Sequence, residues 1–92
     1  MIIFKTIAKM ILLKLADSDF DFEFSNNKCK NSAAFQISVW FADNYLYLTE
    51  YKNKLTYQSY IYGKIPINNE LDISDPNLSK NIDKLLKKLK PK

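Results

Sequence analysis

The sequence predicts an α+β fold: a two-layer sandwich with a four-stranded antiparallel β-meander flanked by an N-terminal and a C-terminal helix (α-β-β-β-β-α). Three observations predict it. Asp19-Phe20-Asp21-Phe22-Glu23-Phe24 alternates acidic and aromatic residues with the period of a half-buried strand. Downstream, three more strand-like runs are separated by the short pairs Asp43-Asn44 and Asn53-Lys54, residue types that tolerate turn conformations. Apolar side chains recur at helical spacing towards both ends of the chain.

The 92 residues suit one domain, 1–92, with one core. The first helix is expected over Ile3 to Leu15, with Phe4, Ile7, Ile11 and Leu15 as its apolar stripe. Ile3, Met10 and Leu13 widen that stripe, and Lys5 and Lys9 share the wet side. Lys5, Lys9 and Lys14 interrupt the apolar run, and Asp17-Ser18-Asp19 follows it rather than a small-residue cleavage site. A core helix is therefore expected, not a signal peptide, and the run is too short to span a bilayer.

The first strand places Phe20, Phe22 and Phe24 on one face and Asp19, Asp21 and Glu23 on the other. Ser25 to Ser32 reads as a polar loop. The remaining strands are expected over Ala34–Ala42, Tyr45–Lys52 and Leu55–Tyr62, where Gly63 ends the last. A two-residue turn at Asp43-Asn44 pairs Phe41 with Leu46, Trp40 with Tyr47 and Val39 with Leu48. A similar turn at Asn53-Lys54 pairs Tyr51 with Thr56, Tyr47 with Tyr60 and Tyr45 with Tyr62. Ile65 to Ile73, with Pro66, reads as an extended linker. Ser74-Asp75-Pro76 is a helix-start signal, and Leu78, Ile82, Leu85, Leu86 and Leu89 form the stripe of the last helix.

These registers separate two faces. The inner one carries the phenylalanines of the first strand with Phe35, Ile37, Val39, Phe41, Leu46, Leu48 and Ile61. The outer one carries Gln36, Ser38, Trp40, Tyr45, Tyr47, Thr49, Tyr51, Thr56, Gln58, Tyr60 and Tyr62, with no charge among them. Tyr and Thr suit any strand surface, but Tyr and Trp also dominate binding hot spots. Asp19, Asp21 and Glu23 border this face as an acidic rim, which suits a partner protein with a basic surface.

Catalysis is disfavoured. There is no His, and no P-loop, GxSxG, HExxH or CxxC pattern. Gly63, the only glycine, leaves nothing for a Gly-rich phosphate loop. Cys29 lies between Lys28 and Lys30, which favours its thiolate, but it lacks a base and reads as an exposed loop thiol. A single Cys fits a reducing, cytoplasmic compartment. Alternate carboxylates stand about 7 Å apart along a strand, too far to share one small cation. No metal, cofactor or membrane partner is expected.

Two binding readings follow. The first is a small non-enzymatic inhibitor that occludes a partner protein through Trp40, Tyr45, Tyr47, Tyr60 and Tyr62, with Asp19, Asp21 and Glu23 at the rim. Phage anti-defence proteins such as anti-CRISPR inhibitors, and bacterial toxin-immunity proteins, are of this kind by size and composition. The abundance of Asn, Lys, Ile and Tyr fits an AT-rich bacterial or phage genome. The alternative is nucleic-acid binding by the last helix through Lys80, Lys84, Lys87 and Lys88, consistent with a net charge of +4. The α-β-β-β-α order is similar to that of double-stranded RNA-binding domains, but their Gly-containing loop and the lysine cluster opening their last helix are absent here. A homodimer through the tyrosine face or an edge strand is a third expectation.

Overall fold

A computed structural model describes residues 2–29, 32–51 and 54–90. The order is α1 (Ile2–Ala16), β1 (Asp21–Cys29), β2 (Ser32–Phe41), β3 (Asn44–Tyr51), β4 (Lys54–Tyr60), β5 (Ile67–Leu71) and α2 (Leu78–Leu89). The strands form one antiparallel meander in the order β1-β2-β3-β4-β5. The α+β sandwich is as expected, but the sheet has five strands rather than four.

The fifth strand lies where a linker is expected. After β4 the chain reverses through Ile61–Lys64, closed by Lys64 N–H donating to the Ile61 carbonyl at 2.9 Å. Gly63 takes a φ of +84°, as the third residue of a type II turn requires. Pro66 then falls just before β5, where its missing N–H costs the ladder nothing. Ile67–Leu71 pairs along Leu55–Ser59 and so covers an edge of β4 that would otherwise leave backbone groups unpaired.

Both central registers differ from expectation by two residues. Trp40 pairs with Tyr45 and Phe41 with Asn44, so Ala42-Asp43 forms the turn. Ala42 takes a φ of 54° there, a region glycine would occupy more easily. The reason is the task of Asn44, which is 5% exposed. Its Nδ2 donates to the Leu89 carbonyl at 2.8 Å, and its Oδ1 accepts from Tyr62 N–H at 2.8 Å. An amide tied at both ends to α2 and to the β4–β5 turn is not available as a turn residue. In the next hairpin Tyr51 pairs with Lys54 and Tyr45 with Tyr60. Lys54 therefore belongs to β4 and not to a turn; Asn53 lies outside the described residues. A slip of two preserves the faces, whereas a slip of one would exchange them.

β1 begins at Asp21 and runs to Cys29, pairing its polar half with Ser32–Gln36. The expected polar loop is thus mostly strand, and Cys29 is a strand residue, not a loop residue. Its side chain lies outside those described.

One core cluster joins the layers: Ile7, Ala8, Ile11 and Leu15 of α1, Leu78, Ile82, Leu85, Leu86 and Leu89 of α2, and Phe35, Ile37, Val39, Leu46, Leu48, Leu55 and Leu71 of the sheet. Lys14 of α1 clips the two helices together, donating to Ser79 Oγ at 2.7 Å and Asp83 Oδ1 at 2.9 Å. α2 begins at Leu78, later than Ser74-Asp75-Pro76 suggests. Asp72 and Asp75 each take an amide two residues on, from Ser74 and Asn77, and this turn structure delays the helix.

Three apolar positions are more open than expected. Leu13 is 74% exposed, while Phe22 and Phe24 are 41% and 42% exposed. β1 is an edge strand, so its inward rings have sheet neighbours on one side only. Phe20, by contrast, packs edge-on against Phe41 at 6.0 Å, and the Lys90 ammonium lies over both rings.

Candidate functional site: the outer sheet face

The pairings arrange the outer face in three rows across the strands. One row is Asp21–Trp40–Tyr45–Tyr60. The next is Glu23–Ser38–Tyr47–Gln58–Asn68. The third is Ser25–Gln36–Thr49–Thr56–Glu70.

Four rings make a continuous chain. Trp40 meets Tyr47 edge-on at 6.5 Å, Tyr47 stacks on Tyr45 at 4.3 Å, and Tyr45 stacks on Tyr60 at 5.1 Å. The stacking follows from the fold: Tyr45 and Tyr47 are two residues apart on one strand face, and Tyr45 and Tyr60 are direct cross-strand partners. All four rings remain partly exposed. Beneath them Val39 and Leu46 are fully buried, so the platform rests on packed core.

The structure brings Trp40, Tyr45, Tyr47 and Tyr60 together and separates Tyr62 from them. Tyr62 does not pair with Tyr45; it sits in the turn after β4 and is 72% exposed. Asp21 and Glu23 are exposed at the ends of two rows, Asp21 directly opposite Trp40. Asp19 precedes β1 and faces the C-terminal end of α2, its Oδ2 3.5 Å from the Lys90 Nζ. The acidic rim is therefore two strand carboxylates rather than three. Tyr51 lies in β3, its side chain outside those described.

Beside the rings lies a shallow groove of about 570 Å³ that includes Gln36, Tyr47, Thr49, Thr56, Gln58 and Asn68 in its lining. Asn68 escaped the sequence reading because β5 reads as a linker. The only available signal was Ile67 and Leu71 bracketing a short run after Pro66.

Lys80, Lys84, Lys87 and Lys88 are exposed on α2, on the layer opposite the outer sheet face. Among the described residues, no three metal-ligating side chains cluster, and no helix is long and apolar enough to cross a membrane. Comparison with protein-family models, curated proteins and solved structures finds no match to the chain.

Proposed function

We propose that this is a small non-enzymatic binding protein that blocks a protein partner by covering it with the outer sheet face, in the manner of phage anti-defence or bacterial toxin-immunity proteins. The observation that carries the reading is the ring chain Trp40–Tyr47–Tyr45–Tyr60. Stacking holds these side chains in place before any partner arrives, so little side-chain freedom remains to be lost on binding. Asp21 and Glu23 at one border give the face a negative edge that steers a basic partner towards it.

The test is the double substitution Trp40→Ala with Tyr47→Ala, applied in affinity capture from the native host. Partner capture is expected to be lost while circular dichroism keeps its folded signature. Undiminished capture by a folded double variant would refute the reading.

The exposed α2 lysines favour a second reading, contact with a nucleic-acid backbone. It requires retention on immobilised DNA or RNA at low salt. That retention should fall with salt, and again when Lys84, Lys87 and Lys88 become Ser. No retention at low salt would eliminate it.

A further inference from the structure

The groove beside the ring chain has chemistry of its own. Its outer-face lining carries three amide side chains, Gln36, Gln58 and Asn68, two threonine hydroxyls and the Tyr47 ring, and no ionisable acid or base other than phenol. Tyr57 and Asn69, also at the lining, pair in the row of the buried Leu48 and belong to the other side of the sheet. The volume of about 570 Å³ is within the range of about 300–1,000 Å³ typical of small-ligand sites. Gln58 and Asn68 are direct partners across β4 and β5, and Gln36, Thr49 and Thr56 lie in the neighbouring row. Each of these amides offers both donors and an acceptor from a strand.

That inventory selects against anions. A phosphate or carboxylate finds no cation in the lining, and Glu23 and Glu70 close the ends of two adjacent rows with negative charge. It also selects against a purely apolar ligand, which would bury several amides without partners at about 1–3 kcal/mol each. What matches is a neutral molecule whose groups donate and accept alternately and which has one apolar face to lay on a ring. Tyr47 supplies that ring at the groove's junction with the aromatic chain.

We propose that the groove is a subsite for a neutral oligosaccharide. Its hydroxyls would be read by Gln36, Gln58 and Asn68, and its C–H face would lie against Tyr47. The groove shares Tyr47 with the protein-binding face, while Trp40, Tyr45 and Tyr60 lie outside its lining, so the groove amides test this inference separately from that reading.

The experiment titrates the full isotope-labelled chain with cellotetraose, chitotetraose and maltotetraose at millimolar concentration. It follows the side-chain amide resonances of Gln36, Gln58 and Asn68 by NMR. At least one sugar is expected to shift these resonances in a saturable way. The double substitution Gln58→Ala with Asn68→Ala should weaken that binding by about tenfold or more, through loss of the amide hydrogen bonds. Lys9→Ala, exposed on α1 in the opposite layer, should leave it nearly unchanged. Gln36→Ala, on the other side of the groove, provides the same test should the double variant not fold. No response to any of the three sugars would overturn the proposal. So would equal binding by the folded groove variants, or equally tight binding of an acidic tetragalacturonate.

Discussion

Two regions of one sheet face, separated by a single row, use their surfaces in opposite ways. Around the row Trp40–Tyr45–Tyr60 the side chains satisfy one another: rings stack at 4.3 and 5.1 Å and shield each other's faces. In the row Gln36–Thr49–Thr56 the side chains are shorter and uncharged, and they line a groove. Both regions rest on the same kind of support, since Leu46 under the first and Leu48 and Leu55 under the second are fully buried. The difference teaches that the backbone supplies an identical frame, and side-chain size alone decides whether a patch protrudes or is hollow. The aromatic region adds to stability through its own contacts, whereas in the amide region Thr56 donates to the Thr49 carbonyl and the Gln36, Gln58 and Asn68 amides face solvent or a ligand.

Leu46→Ala and Leu48→Ala should each cost about 2–5 kcal/mol in denaturant unfolding, because each removes a fully buried side chain from the same core. A loss confined to one of them would show that the two regions do not share their support. A smaller effect sharpens the contrast. Tyr45→Ala removes two ring stacks and should cost about 1–3 kcal/mol, while Gln58→Ala should stay within about 0.5 kcal/mol of wild type. Equal losses would mean that the groove amides also stabilise the fold.

The smallest effect is a control remote from both regions. The Ser74 hydroxyl, and then the Ser74 amide, hold the Asp72 carboxyl below the usual carboxylate range. A depressed folded value stabilises the fold above the unfolded value, and that contribution is lost as pH falls through the folded one. Ser74→Ala should therefore return the Asp72 titration, followed by carboxyl NMR, towards its ordinary value. It should flatten the acid limb of stability slightly and leave both face regions unaltered.

Period-2 alternation made the two-faced sheet legible in the sequence, and helical spacing made the α2 stripe legible to the residue. The faces survived the misplaced turns only because both registers moved by two. What was illegible depended on distant partners. Nothing near Asn44 announces that its amide is reserved for Leu89 and Tyr62. Asn68-Asn69-Glu70 has no strand propensity of its own and becomes a strand only because β4 offers it an edge. The exposure of Phe22 and Phe24 reflects strand order, which alternation does not encode. Of the candidate site, four rings could be assembled from pattern alone. Tyr62 and Asp19 could not be placed, because each lies just past the end of a strand, where period-2 reasoning no longer applies.

Asn44 also gives the chain a mechanical linkage. Every strand pairing joins neighbours in sequence, so the meander can assemble from local hairpins. Asn44 instead joins the start of β3 to Leu89, 45 positions away, and passes the same side chain on to the Tyr62 amide. Undocking the helix therefore removes one anchor of the side chain that holds the Tyr62 amide. The Tyr62 amide proton is held by a bond that α2 helps to position, so its exchange with solvent reports the opening of the C-terminal helix, although no residue of that helix donates or accepts it.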